Sequence, residues 1–142
     1  MGYRWVDKQH IKPLFAFGHG LSYTSFRISK AVADRKVMGS GDRLTLTVTV
    51  ENTGSRAGKE TVQVYVTDKK SSLPRPQKEL KAFQKVSLQP GESRDVVLTL
   101  DEQSLSYYDD QARCWVAEPG DFEARIGFSS DRLTEKIGFR YQ

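Results

Sequence analysis

The sequence is poor in the residues that build metal and redox sites, because its 142 residues include one cysteine and two histidines, His10 and His19. One cysteine cannot form a disulfide within the chain, and one thiol with two imidazoles makes a poor zinc site. Long apolar runs are also missing, since none approaches the roughly 20 residues that a membrane-spanning helix needs. We therefore expect no metal, no other cofactor and no contact with a membrane.

The chain has little excess charge of either sign. Lys and Arg number 22 against 18 Asp and Glu, which leaves a net charge of +4. The basic residues are scattered among acidic ones, and the densest groups, Lys69-Lys70 and residues 75–81, are short. Neither a basic helix nor a glycine-aromatic RNA-binding signature is present. A solvated surface explains this charge, so we expect no nucleic-acid partner.

The clearest positive signal is strict alternation of apolar and polar residues. Residues 44–51 read Leu-Thr-Leu-Thr-Val-Thr-Val-Glu, a period of two that sends one set of side chains to a core and the other to solvent. Similar patterns recur between turn residues such as those at 52–54, 89–92 and 118–121. Strands are predicted at residues 23–28, 44–50, 62–66, 80–88, 96–100, 113–116, 122–128 and 137–141.

These short strands, with no segment of helical periodicity, predict an all-β fold. The expected architecture is a fibronectin type III or immunoglobulin-like antiparallel β-sandwich of seven to eight strands, with a barrel as second choice. Immunoglobulin domains carry a cysteine pair that this chain lacks, which favours the fibronectin type III arrangement. Phe83 falls out of phase with Ala82 and Val86, and this slip predicts a bulge or an edge position.

The first twenty residues follow no period. Glycine and proline interrupt their apolar side chains repeatedly, so we predict an irregular N-terminal arm that forms neither a strand nor a helix. The arm either lies across the sandwich or belongs with a further element, and the second alternative is favoured because exposed aromatics at this density mark an interface. The large apolar residues of the arm are Tyr3, Trp5, Ile11, Leu14, Phe15 and Phe17.

A family resemblance is carried by residues 13–24, Pro-Leu-Phe-Ala-Phe-Gly-His-Gly-Leu-Ser-Tyr-Thr. They resemble the junction between the second catalytic domain and the C-terminal fibronectin type III-like domain of family 3 glycoside hydrolases. Segments at 2–5, 52–66, 79–92 and 115–120 are similar to the same family in the same order. Ala16 departs from its usual proline, and Ala82 from its usual glycine. The resemblance divides the chain into a junction segment, residues 1–20, from a preceding α/β-sandwich domain, and a fibronectin type III-like domain, residues 21–142.

The resemblance implies a non-catalytic role for this chain. Family members are retaining glycosidases whose nucleophile and acid/base lie on or near the preceding domains, so no catalytic residue is carried over. The neighbouring carboxylates Asp101-Glu102 and Asp109-Asp110 are expected to be turn and cap residues. The chain is then an accessory domain that buttresses the catalytic domains of a β-glucosidase or β-xylosidase, itself expected to be secreted or periplasmic. The candidate inter-domain contacts are Tyr3, Trp5, Phe15, Phe17, His19, Pro76 and Phe83.

The alternative function is a carbohydrate-binding or adhesion module that contacts a polysaccharide. Sugar rings stack on flat, exposed aromatic rings that have hydrogen-bonding groups nearby. Trp115, Tyr107 and Tyr108 are the candidates for such stacking. Cys114, beside them, is expected to pack as a small apolar group.

Overall fold

The computed structural model describes residues 2–142, which form ten strands and two short helices. In chain order the elements are α1 (Tyr3–Lys8), β1 (Phe26–Ala33), β2 (Val37–Met38), β3 (Arg43–Asn52), β4 (Gly58–Asp68), β5 (Glu79–Leu88), β6 (Ser93–Asp101), α2 (Glu102–Leu105), β7 (Tyr107–Asp109), β8 (Cys114–Val116), β9 (Gly120–Ser129) and β10 (Arg132–Tyr141).

The strands build two packed sheets and a separate hairpin. One sheet has three strands in the order β1-β3-β6, and the other has five in the order β2-β10-β9-β4-β5. Neighbouring strands are antiparallel, except that the short β2 runs parallel to β10. The hairpin of β7 and β8 stands beside the sheets. The predicted all-β sandwich is confirmed.

The core lies between the two sheets and follows from the alternation in the sequence. On β3, Leu44, Leu46, Val48 and Val50 are fully buried, while the threonines between them face outward and are only partly covered. β6, β9 and β10 contribute alternate apolar side chains to the same cluster. Each fully buried aliphatic side chain contributes roughly 1.5–3 kcal/mol through the apolar surface it removes from water.

The strand predictions differ from the structure mainly at short elements. β2 and β7 were not predicted, because two or three residues are too few to show a period of two. The first strand begins at Phe26 instead of residue 23, and Tyr23 is 92% exposed. The phase slip at Phe83 predicted a bulge or an edge position, and the structure confirms both for β5. β5 is an edge strand, and the register shifts where Ala82 and Leu80 pair with Val64 and Tyr65, leaving Lys81 as the extra residue.

The prediction that residues 1–20 contain no helix was wrong, because Tyr3–Lys8 forms α1. Six residues are too short to display a 3.6-residue period, and none of the six is buried. Gly2 at the N-cap offers no side-chain hydrogen bond to the first turn. Contacts with the sheet must therefore stabilise this helix. Between residues 2 and 142, neither helix is long or apolar enough to cross a membrane.

Candidate functional site

The arm, defined here as residues 2–20, lies across the outer face of the five-stranded sheet. On β4 the core takes Val62, Val64 and Val66, so Gln63 and Tyr65 point outward; nevertheless they are only 5% and 0% exposed. The arm is what covers them. The alternative favoured from the sequence is that the arm belongs with a further element and does not lie across the sandwich. That prediction was wrong, because the arm lies across the sandwich.

An aromatic stack fixes the arm to the sheet. The ring of Tyr3 meets Tyr65 edge to face at 5.6 Å and stacks on Phe17 at 5.0 Å. The Tyr3 hydroxyl oxygen accepts a hydrogen bond of 2.7 Å from the backbone N–H of Leu80 on β5. At the far end of the arm, the backbone N–H of Ser130 donates to the carbonyl of Phe17 at 2.8 Å. Both ends of the arm are therefore hydrogen-bonded to the sandwich.

A buried hydrogen-bond chain lies beneath this stack. The Tyr65 hydroxyl donates to Oε1 of Gln63 at 2.6 Å, and Nε2 of Gln63 donates to the carbonyl of Phe128 at 2.7 Å. Burial raises the pKa of Tyr65 above its ordinary value, and the nearby Tyr3 and Asp7 raise this pKa further. The phenol stays protonated and remains the donor that this chain requires.

Ion pairs supply the polar part of the docking. Nζ of Lys78 lies 2.5 Å from Asp7, and Nη1 of Arg4 lies 3.2 Å from Glu79. Asp7 and Arg4 belong to α1, whereas Lys78 and Glu79 belong to the start of β5 and the loop before it. These pairs hold one side of the helix against the sandwich and leave its other side free.

A cluster of charged side chains lies between α1, β4 and β5. Arg75 is at its centre, with Nη2 at 2.7 Å from Glu79 and Nη1 at 3.4 Å from Asp68. The same Nη1 donates to the carbonyl of Leu105 at 2.8 Å. The side chains of Arg75 and Asp68 are 8% and 4% exposed, so this is a buried ion pair. We call Arg4, Asp68, Arg75, Glu79 and Lys81 the Arg75 cluster.

Lys81 is the extra residue of the β5 irregularity and points into this cluster. Its Nζ lies 3.8 Å from Glu79. Burial lowers the pKa of Lys81; Glu79 opposes that shift, while the positive charges of Arg75 and Arg4 add to it. The cluster therefore presents a net positive environment.

The side of the arm turned away from the sheet is apolar and exposed. Trp5 is 55% exposed, Phe15 69% and Phe17 49%, while Leu14 is almost fully exposed. Phe15 also stacks on His19 at 5.3 Å. Exposed apolar side chains at this density are typical of protein contact sites.

The structure brings the seven candidate contact residues to one side of the sandwich. Tyr3, Phe15, Phe17 and His19 form two aromatic pairs within the arm. Trp5 and Pro76 line one groove between α1 and the β4–β5 loop, while Phe83, 69% exposed, pairs across the sheet with Gln63. Their role as inter-domain contacts stays a prediction.

The three candidate sugar-stacking residues are divided by the hairpin. Tyr108 and Trp115 are cross-strand partners, 49% and 63% exposed, with ring centroids 5.7 Å apart. Their planes meet at 72°, so they form no common flat platform. Tyr107 lies instead beneath the guanidinium of Arg75, 5.5 Å from its ring centroid. Cys114 is exposed, so the expectation that it packs as an apolar group was wrong.

Glu118 connects the hairpin to the β4–β5 loop, a link that sequence reasoning missed. Its carboxylate accepts from the Tyr107 hydroxyl at 3.0 Å, from the backbone N–H of Ser72 at 3.0 Å and from the Ser72 hydroxyl. The Ser72 hydrogen bonds lower the pKa of Glu118. The Pro-Arg-Pro sequence at 74–76 is the one local signal for this region, because prolines on both sides stiffen the position of Arg75.

Asp101 and Asp109, one from each pair of neighbouring carboxylates weighed as catalytic candidates, have structural roles. Asp101 is the N-cap of α2 and forms a capping box with Ser104. Asp109 accepts from the backbone N–H groups of Gln111 and Ala112 in the β7–β8 turn. Across residues 2–142, no group of three His, Cys, Asp or Glu side chains could hold a metal ion.

Two curated relatives match almost the whole chain. Beta-glucosidase BoGH3A from Bacteroides ovatus is 45% identical over 99% of this chain. Thermostable beta-glucosidase B from Acetivibrio thermocellus is 47% identical over 99% of it. The matched regions make up 19% and 18% of those proteins, so this chain spans about a fifth of their length.

Solved structures of β-glucosidases contain the same fold. The GH3 β-glucosidase of Bifidobacterium adolescentis matches with a TM-score of 0.92 at 33% identity, over 99% of this chain and 20% of that one. DesR, a β-glucosidase from Streptomyces venezuelae crystallised with D-glucose, matches with a TM-score of 0.88 at 40% identity, over 97% of this chain and 17% of that one. Both matches leave fewer residues of this chain uncovered than the arm contains, so each of them includes at least most of the arm.

These similarities confirm the resemblance seen in residues 13–24. A family model described as a fibronectin type III-like domain matches residues 60–130, which is half of the chain and runs from β4 into β9 and the turn after it. The two-sheet architecture agrees with that assignment. The chain therefore belongs to the fibronectin type III-like domain family.

Proposed function

We propose that this chain is the non-catalytic accessory domain of a family 3 β-glycosidase, a β-glucosidase or β-xylosidase, and that it buttresses the preceding catalytic domains. The observation that carries the proposal is the arm: one side packs on the sandwich, and the other side is apolar and exposed. A surface with two such sides suits a connector between domains. The similar β-glucosidases contain the arm and the sandwich together within a much longer chain.

The two sheets support this orientation because their outer faces differ. The outer face of the three-stranded sheet is lined by threonines of β3, and its exposed apolar residues are two valines, Val32 of β1 and Val97 of β6, which flank Thr47. The outer face of the five-stranded sheet carries the arm and, above it, the aromatic surface. In the parent protein, the threonine face is then turned to solvent and the arm face to the catalytic domains.

A chimaera tests the proposal. The matched region of thermostable beta-glucosidase B is replaced by this chain, and activity on an aryl-glucoside and the melting temperature are compared with the parent and with a deletion. We expect the chimaera to retain both properties and the deletion to lose them. Turnover by the isolated chain, or full activity and unchanged melting temperature after deletion, would contradict the proposal.

A matched pair of variants locates the contact. Leu14→Ser on the arm and Val97→Ser on the opposite sheet each remove an exposed apolar side chain. Both are expected to leave the isolated chain unchanged, within about 0.5 kcal/mol. In the chimaera only Leu14→Ser is expected to lower the melting temperature, since only the arm face is covered there. Equal effects of the two variants would argue against the orientation.

A second candidate function, binding of a polysaccharide, is favoured by the exposed Tyr108–Trp115 pair. The test is affinity electrophoresis of the chain in gels containing cellulose derivatives, xylan or β-glucan. Retardation that disappears in Trp115→Ala and persists in Trp5→Ala would support binding at the hairpin. Unretarded migration in every gel would remove this candidate.

We also propose that the parent enzyme is secreted or periplasmic. The support is the resemblance to family 3 glycosidases alone. Fractionation of cells that produce the full-length protein tests the proposal, and activity confined to the cytosol would contradict it.

A further inference from the structure

A groove separates α1 from the β4–β5 loop at one end of the arm. It encloses about 360 Å³ and is lined by Arg4, Trp5 and Lys8 from the helix and by Pro74, Arg75 and Pro76 from the loop. The indole of Trp5 is 55% exposed, and it opens the groove onto the apolar side of the arm. The groove is therefore continuous with the surface proposed above as the inter-domain contact.

The groove has an excess of positive charge. Two carboxylates, those of Asp68 and Glu79, neutralise part of its surroundings. Three cationic side chains line the groove, so one positive charge is in excess. The three are Arg4, Lys8 and Arg75.

Lys8 is the cation that remains available. It is exposed at the last turn of α1, and within residues 2–142 it makes no ion pair. The one acidic residue of the arm, Asp7, is already paired with Lys78. The groove beside Lys8 is walled by the indole of Trp5 and the rings of Pro74 and Pro76, with the uncharged amide of Gln77, so no carboxylate lines it.

We propose that this groove binds a carboxylate-bearing, apolar segment of the catalytic part of the same polypeptide. The inference rests on the proposed function and names the chemistry of its contact: an Asp or Glu side chain at Lys8, flanked by apolar residues against Trp5 and the prolines. Trp5 both lines the groove and belongs to the exposed apolar side of the arm, so the catalytic part that is proposed to cover the arm is also the partner that reaches the groove. An excess of one charge is small for a nucleic-acid surface, which needs a basic stripe.

The test uses the chimaera with thermostable beta-glucosidase B described above. Lys8→Glu reverses the available charge, Lys8→Arg conserves it, and Lys30→Glu reverses an exposed lysine of β1, in the three-stranded sheet, as a matched control. We expect Lys8→Glu to lower the melting temperature of the chimaera by at least about 2 °C at low salt, and Lys8→Arg and Lys30→Glu to leave it unchanged. The effect of Lys8→Glu is expected to shrink at high salt, because ions screen the pair.

Measurements on the isolated chain distinguish this inference from its alternatives. Lys8→Glu is expected to leave the melting temperature of the isolated 142-residue chain unchanged, and an equal loss there would show a local structural role and overturn the inference. A stable, active chimaera in which Lys8→Glu behaves like Lys30→Glu would overturn the inference while leaving the accessory function intact. A chimaera no better than the deletion would instead refute the accessory function. Lys8-dependent binding of oligogalacturonate to the isolated chain, without an effect in the chimaera, would assign the groove to an acidic sugar and overturn the inference.

Discussion

The ring of Tyr3 meets the ring of Tyr65 edge to face, with centroids 5.6 Å apart and planes at 88°. Tyr65 is on the outward side of β4 and would face solvent in a bare sandwich, yet it is fully buried. Two residues that are 62 positions apart in the chain thus make the arm and the sandwich one folded unit. An apolar layer on both faces of the five-stranded sheet follows from this contact.

Removal of the Tyr3 side chain is expected to destabilise the isolated chain. Tyr3→Ala loses the contacts with Tyr65 and Phe17 and leaves the backbone N–H of Leu80 without its acceptor, at a cost of roughly 2–4 kcal/mol. Tyr3→Phe keeps the rings and loses the hydrogen bond alone, at a cost of about 1 kcal/mol. Urea unfolding followed by fluorescence measures both, and Tyr23→Ala, at a residue 92% exposed, is the control. If Tyr3→Ala unfolds at the same urea midpoint as the unchanged chain, the docking of the arm does not stabilise the sandwich.

Gly18 is expected to tolerate no side chain. Its φ is +80°, and a Cβ there would overlap the amide of Gln63, which is held by its hydrogen bond to Phe128. Gly91 has a similar φ of +72° with open space around it, so it isolates the cost of the backbone conformation. We expect Gly91→Ala to cost about 1 kcal/mol and Gly18→Ala at least about 2 kcal/mol. Equal losses of unfolding free energy for the two variants would show that the arm shifts at Gly18 and makes room for the new side chain.

The strands of the sandwich could be predicted from the sequence because burial on one face imposes a period of two. Residues 44–50 show the effect directly, and the structure extends that strand by one residue before and two after. α1 could not be predicted, since six residues without a buried side chain carry no period and no capping residue. The docking of the arm depends on Tyr65. The alternation along β4 places the side chain of Tyr65 on the outward side of the strand, where solvent contact is expected, so nothing in the sequence indicates that the arm covers it.

The candidate site could be predicted in part. Exposed aromatics such as Trp5 and Phe15 stand out because no period orders them. The Arg75 cluster could not be predicted, because Arg4 lies 71 positions before Arg75 and their shared partner Glu79 belongs to a strand with an irregular register. Sequence spacing reveals ion pairs within one helix or strand pair, whereas this cluster assembles from three elements.

Asp101 is expected to make stability depend on pH in the acidic range. The hydroxyl and the backbone N–H of Ser104 donate to its carboxylate at 2.8 and 2.9 Å, and they hold the pKa of Asp101 below its ordinary value. The Asp101 carboxylate therefore binds a proton less tightly in the folded state than in the unfolded state. Its contribution to the free energy of unfolding is fully present above the unfolded pKa of about 3.9 and is lost as the pH falls through the folded pKa.

The comparison of variants isolates that contribution. Asp101→Ala removes the cap of α2 and is expected to cost about 1 kcal/mol at neutral pH. The difference in unfolding free energy between the unchanged chain and Asp101→Ala should narrow as the pH falls below about 4. Asp101→Asn keeps an acceptor for Ser104 and should remove the pH dependence. A difference that stays constant across this range would mean that the Asp101 carboxylate does not contribute through its charge.

Arg75 is expected to be the charged residue whose loss costs most. Arg75→Ala leaves the carboxylates of Asp68 and Glu79 buried without their main partner, and breaking a buried ion pair in this way costs roughly 3–5 kcal/mol. Arg75→Lys is expected to recover only part of that loss, because a single ammonium cannot reach Glu79, Asp68 and the Leu105 carbonyl together. The matched control is Arg27→Ala, which breaks an exposed pair with Glu51 and should cost at most about 1 kcal/mol. Urea unfolding at neutral pH measures all three variants. Equal costs for Arg75→Ala and Arg27→Ala would show that water reaches the cluster and that the arm is not held by it.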